Sequence, residues 1–300
     1  MEFVEEPNLK SILLRAIGRW GFAAEHNYHY FTYTNEEKDS KNFFWHNGDD
    51  KGIMGRVRKG RYEVLFPPLA PPAEHLSLWL QFLTFIFDNG AIAAEIELSP
   101  DMKQELIAKL PSVFKASKPK WYFSYPVFDM TTWDGDTLEG GKWKDVRYYW
   151  NKFNREHKLE FVDAKTFSKE DLYKIVEHWK QEKKKRHQER IWHGYFYNVI
   201  NANFAGYDLA RVTLVDGKPE ALIAGFNIPN SKGYYSSIGI FNGSIDRLSM
   251  VCNLDELRLL KKLGYTSVDF GGSDKKLMEF KMKFKPAKIY KTHVFLIKKT

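Results

Sequence analysis

Cysteine is almost absent: Cys252 is the single thiol in 300 residues. That excludes an intrachain disulfide and any multi-cysteine zinc site, and the usage suits a reducing compartment. Long hydrophobic runs are missing too. The most apolar stretch, 76–87, is broken by Ser77, Gln81 and Thr84 and is too short to cross a bilayer. The opening residues MEFVEEPNLK lack a signal-peptide pattern. There is no GxGxxG after a strand, no Walker sequence, no HExxH and no GxSxG. The histidines are scattered: His26 and His29 lack partners at metal-ligand spacing, and Cys252 has no nearby histidine to activate it. A soluble, cytoplasmic globular protein without a metal is the expectation.

What is present is a large apolar content, 43% hydrophobic and 16% aromatic, ample to offset chain entropy. Lysine and arginine number 46 against 38 acidic residues, a formal charge of +8. The excess permits an anionic partner such as RNA, a phosphorylated substrate or peripheral contact with a membrane surface, and proves none.

Two stretches repeat one order of elements. In the first, a helix over 9–17 precedes strands at 26–34, 42–46, 52–58 and 62–66, a helix over 74–87, a strand at 91–98, a helix to residue 110 and a strand at 121–130. A loop with Gly135, Gly140 and Gly141 follows, which places a boundary between domains 1–131 and 132–300. In the second, helices at 143–156, 169–189 and 194–205 lead to strands at 210–215, 220–228 and 233–241. A helix over 247–263, a strand at 267–270, a helix over 276–284 and a strand at 289–298 complete it. The expected fold class is α/β (α+β): two tandem domains, each a mixed, mainly antiparallel sheet flanked by helices.

The segment VDFGGSDKKLMEFKMKFKP carries the clearest chemical signal. At 100° per residue, Leu277, Phe280 and Phe284 share an apolar arc, and Lys281 falls near its middle where the pattern calls for leucine. An inward lysine must snorkel, reach a polar cavity or meet an anion, because an unpaired buried charge costs several kcal/mol. As a site cation it would stabilise developing negative charge. Asp269 precedes the Gly271–Gly272 break and reads equally as a turn residue. Arg147 borders the apolar face of the helix over 143–156, where it is placed either to pack or to hold a phosphate. The run KQEKKKRHQER, with Lys183, Lys184, Lys185 and Arg186, is either a solvated face or a polyanion contact.

This element order, together with DFGG followed by FKMKFKP, resembles the Gcn5-related N-acyltransferase superfamily. More narrowly it is similar to the tandem branch of the Fem peptidyltransferases and the C-terminal domain of phosphatidylglycerol lysyltransferases. The segment LEGGKWKDVRYYWNKFNREHKLEFVDA resembles the start of the second domain in the lysyltransferase group. The resemblance implies two acyltransferase-like domains and transfer of an amino acid from aminoacyl-tRNA to an amine or hydroxyl. It implies Lys281 at the tRNA acceptor end, stabilising the tetrahedral intermediate. Under the same reading Asp269 or Arg247 orients the donor, Phe280 lies in the matching motif, and Arg147, Lys183, Lys184, Lys185 and Arg186 contact RNA. Ordinary superfamily members use acyl-CoA, which is the alternative; a non-catalytic RNA- or ligand-binding protein is the other. Pro67, Pro68, Pro71 and Pro72 have no N–H to cradle a pyrophosphate, and FNGSIDRLSM has only part of a cradle, so aminoacyl-tRNA is favoured and no cofactor is expected. The general base and the acceptor are not identified.

Overall fold

The helices begin where short polar side chains accept their first free amides. Asn27 accepts from the Tyr30 amide at 3.0 Å, Ser99 from Met102 at 3.2 Å and Asp274 from Leu277 at 2.8 Å. In the computed structural model, which describes residues 2–185 and 193–300, the elements run in chain order as follows. The first part contains β1 (Glu2–Val4), α1 (Leu9–Trp20), α2 (Tyr28–Tyr33), β2 (Lys41–His46), β3 (Gly52–Arg58), β4 (Arg61–Val64), α3 (His75–Asp88), β5 (Ala93–Leu98), α4 (Pro100–Lys109), β6 (Phe114–Ala116) and β7 (Trp121–Asp129). The second contains α5 (Lys144–Glu156), β8 (Leu159–Asp163), α6 (Lys169–Lys185), α7 (Gly194–Asn201), β9 (Leu209–Val215), β10 (Lys218–Asn227) and β11 (Gly233–Phe241). It closes with α8 (Leu248–Lys262), β12 (Ser267–Asp269), α9 (Lys275–Lys281) and β13 (Lys288–Lys299).

Among the described residues thirteen strands form one sheet. Its order is β1-β2-β3-β4-β5-β13-β7-β12-β11-β10-β9-β8, with β6 added on β13. Only β4–β5 and β11–β12 pair in parallel. The mixed, mainly antiparallel architecture flanked by helices is therefore the one expected. Its continuity is new: β13 lies between β5 and β7, and β7 pairs with β12. Each half lends its last strand to the middle of the other's pairing.

Burial explains the layers. On one face of the first part, Phe43, Trp45, Trp79, Phe82 and Ile86 are fully enclosed between α3 and the strands, each worth about 2–3 kcal/mol of transfer free energy. On β11, alternation sends Tyr234 to the core beneath α8 and Tyr235 to the opposite face beneath α6 and α7. That second face carries the site.

The structure corrects several local expectations. Residues 26–34 are not a strand. Asn27 caps α2, and its aromatics alternate only because one and a half turns carry bulky rings on every side. The helix over 169–189 is described to Lys185, and its remainder, with Arg186, lies outside the described residues. The helix over 276–284 ends at Lys281 and tightens into a 3₁₀ turn, Met282–Phe284. Strands β1, β6 and β8 were not anticipated; β8 (LEFVD) lies in the interval between the expected helices over 143–156 and 169–189.

Candidate active site

β12 ends at Asp269, and the chain turns away through Gly271, whose φ of +71° lies in the left-handed region. A Cβ there would stand 3.1 Å from the Tyr235 hydroxyl, so glycine serves both the conformation and the contact. Asp269 is 5% exposed; it accepts from the Gly271 amide at 2.7 Å and from the Tyr290 hydroxyl at 2.8 Å. Burial raises its carboxyl pKa despite those bonds and the nearby Lys281 charge.

The α9 helix returns Lys281 onto this turn. The residue is 9% exposed, and Nζ donates to the Phe270 carbonyl and, at 3.3 Å, to that of Gly271. Burial lowers its pKa to about 8, opposed by Asp269, Glu256 and Asp274 in that order. Two of the three ammonium protons are thus engaged, and one is left for another acceptor. The snorkelling alternative does not describe this lysine, since its head is inside.

Strand register adds groups that the sequence reading missed. Asp269 pairs with Tyr235 on one side and Val127 on the other; Tyr125, two residues before Val127, pairs with Tyr290 on β13. All therefore share one face. The Tyr125 and Tyr290 rings stack at 4.5 Å and 4°. Tyr125 donates to Glu97 on β5 at 2.6 Å, and Thr292 donates to the same oxygen. From the chain before α2, Glu25 approaches with its carboxyl pKa raised to about 8, first by burial and then by the charges of Asp269 and Glu97. Tyr30, on α2, meets Tyr235 edge-on at 5.7 Å. Glu97 was hidden in AAEIEL, where a polar alternate looks solvent-facing, and nothing near Glu25 marks it.

Of the other expected residues, Phe280 lies beside the site and the rest lie elsewhere. Phe280 packs edge-on against Phe284 at 5.4 Å, a core contact beside Lys281. Arg147 donates to the carbonyls of Leu138 and Gly140, holding the loop before α5. Arg247 has φ +65° at the N-terminus of α8 and lies over the Tyr149 ring at 4.2 Å. Lys183 lies over Trp179, and Lys185 pairs with Glu182 at 2.7 Å; with Lys184 they end α6. The structure joins Lys281, Asp269 and Phe280 and leaves the arginines on the α5–α8 side. Cys252 is fully buried beside Thr213, and burial pushes its thiol up to about 12. His26 bonds the Pro67 carbonyl at 2.9 Å and is held neutral, its pKa lowered to about 4 by burial.

This fold, with two acyltransferase-like halves and a shared sheet, is that of the tandem GNAT proteins. The chain aligns over 99% of its length with 97% of a tandem GNAT protein from the clavulanic acid biosynthesis pathway (10% identity, TM-score 0.57). It also aligns over its whole length with 94% of L-PGS from Bacillus licheniformis (15% identity, TM-score 0.68), and over 98% with 97% of FemX (11% identity, TM-score 0.64). Residues 21–237 match the family described as "Phosphatidylglycerol lysyltransferase, C-terminal", and the chain belongs to that family. No curated protein matches its sequence. Among the described residues no helix is long and apolar enough to cross a membrane.

Proposed function

We propose that the protein is an aminoacyltransferase that moves an amino acid from aminoacyl-tRNA to an amine or hydroxyl acceptor. The observation that carries this reading is the Lys281 ammonium, enclosed at the end of β12 with two protons tied to backbone carbonyls. Its third N–H is directed by those bonds and costs no reorganisation when an ester carbonyl becomes an oxyanion. Asp269 positions the turn that supplies both carbonyls, through its bond to the Gly271 amide.

The donor choice is supported at α8. The Leu248 and Met250 amides already donate to Ile245 and Arg247, so its first turn offers a pyrophosphate fewer free groups than an open helix N-terminus. The prolines 67, 68, 71 and 72 before α3 weaken the other CoA position in the same way. Lys183, Lys184 and Lys185 supply a basic helix end for an RNA backbone, a contact that weakens steeply with salt.

The test is amino-acid transfer from a charged tRNA pool by Lys281→Met. The substitution keeps bulk and removes the charge, so transfer falls at least ~100-fold, the usual loss for one oxyanion donor, while the folded signal is retained. A fully active Lys281→Met protein excludes the mechanism. Stabilisation of the protein by CoA, together with turnover of acetyl-CoA, would replace the donor.

A further inference from the structure

Glu97 on β5 and Asp269 on β12 share one face of the sheet through the register of β13 and β7, and the chain before α2 brings Glu25 beside them where Tyr30 packs on Tyr235. Among the described residues the one cation acting on any of them is Lys281, and it acts at Asp269. Buried negative charge in such excess calls for protons or for a positively charged guest. No three acidic, histidine or cysteine side chains among the described residues converge closely enough to hold a metal ion. The walls are aromatic: the stacked Tyr125 and Tyr290 on one side, and Tyr30 against Tyr235 on the other. Asp269, Tyr125, Tyr235 and Lys281 are buried, and Glu25, Tyr30, Glu97 and Tyr290 around them are half-buried. Among the described residues the Glu25 carboxylate has its own backbone N–H and no side-chain partner, whereas Glu97 is held by Tyr125 and Thr292 and Asp269 by Tyr290. A ring-lined recess with acidic groups is the chemistry that recognises an alkylammonium.

We infer that this recess holds the acceptor as a primary alkylammonium, and that Glu25 is the group that takes its proton. The inference rests on the transfer reading above for the step that follows. The ammonium R–NH3+ gives one proton to the Glu25 carboxylate. The resulting amine attacks the ester carbonyl carbon, forming the C–N bond while Lys281 faces the oxyanion. The C–O bond to the tRNA ribose then breaks, and the ribose oxygen leaves with the second amine proton. The products are an amide, a free ribose hydroxyl and a protonated Glu25.

A cationic donor side chain would be a spectator needing only fixed charge. A nucleophile must lose a proton, and that sets the demand for a carboxyl titrating near neutrality. Glu25 meets it: its pKa of about 8 reflects burial, then Asp269, then Glu97, and the other titratable groups beside it are the Tyr30, Tyr235, Tyr290 and Tyr125 hydroxyls. An anionic lipid headgroup, by contrast, would meet three carboxylates.

The experiment is calorimetric titration of the full chain with n-pentylammonium chloride, and with sodium pentanoate as its anionic counterpart, without tRNA. The amine binds saturably and pentanoate does not. At pH 7 binding the cation releases protons from Glu25, seen as a heat that changes with the ionisation enthalpy of the buffer. Glu25→Gln abolishes that release, and Glu25→Gln and Glu97→Gln each weaken binding ~10-fold or more. Failure of the folded wild type to bind the amine, undiminished binding by both variants, or equal binding of pentanoate overturns the inference. If Glu25→Gln does not fold, Glu97→Gln decides. Lys281→Met removes the one positive charge beside Asp269, so it binds the amine at least as tightly as the wild type while losing transfer, and a failure of the donor mechanism is read separately from a failure of the recess.

Discussion

Lys281 is where a residue-scale argument reaches furthest. Helical spacing alone exposes it as a lysine in a leucine position, and the structure adds what periodicity cannot supply: the carbonyls of Phe270 and Gly271 that receive its protons. Its ammonium is protonated below a pKa of about 8 and neutral above it. Transfer in a kcat/KM profile therefore falls on the alkaline side of pH about 8, opposite to the rise that deprotonation of Glu25 gives below it, and in any active Lys281→Arg protein the alkaline fall disappears, because a guanidinium keeps its proton. Glu256 works in the opposite sense for stability. Burial raises its carboxyl pKa to about 8, its Oε2 accepts from Ser236 at 2.9 Å, and its other oxygen has no partner among the described residues. A raised carboxyl favours folding fully below its unfolded value near ~4.3 and loses that contribution as pH rises towards 8. Melting temperatures measured from pH 5 to 8 fall less steeply for Glu256→Gln than for the wild type. At Gly271, alanine meets both a left-handed backbone and the Tyr235 hydroxyl; the expected loss is about 1–2 kcal/mol of stability by chemical denaturation.

Legibility changes at the scale of elements. Strong signals survived: the alternation of β3 and β11, the Ser99–Pro100 start of α4 and the apolar face of α3 all sit within a few residues of where the sequence puts them. The failure at α2 has a definite cause. HNYHYFTYT satisfies a period of two because aromatics fill almost every position, and the deciding information is one capping bond from Asn27 to the Tyr30 amide. That misreading also hid the recess, since α2 carries Tyr30 and the chain before it carries Glu25. Glu97 and Asp269 come onto one face only through register between β5, β13, β7 and β12, which no local pattern encodes. Asn27 in addition donates to the Gly206 carbonyl at 3.2 Å, so it ties α2 to the second half as well as starting it. Replacing it with alanine costs about 1 kcal/mol, measured as a lower melting temperature. Because the cap fixes Tyr30, the same variant is expected to bind n-pentylammonium more weakly.

For the whole molecule, the order of elements was readable from the sequence, and the exchange of strands was not, because both arrangements use the same segments. With β13 between β5 and β7, each of the pieces 1–131 and 132–300 alone lacks a strand from the centre of its sheet. We expect neither piece, expressed separately, to give a soluble folded protein, and the intact chain to melt in a single calorimetric transition rather than two. The position of β13 also bears on how the chain matures. It is the last of the described strands to be synthesised, so β5 and β7 wait with open edges while the ribosome completes some 160 residues between β7 and β13. Nascent-chain vulnerability, and with it a need for chaperone shielding, is thus written into the topology.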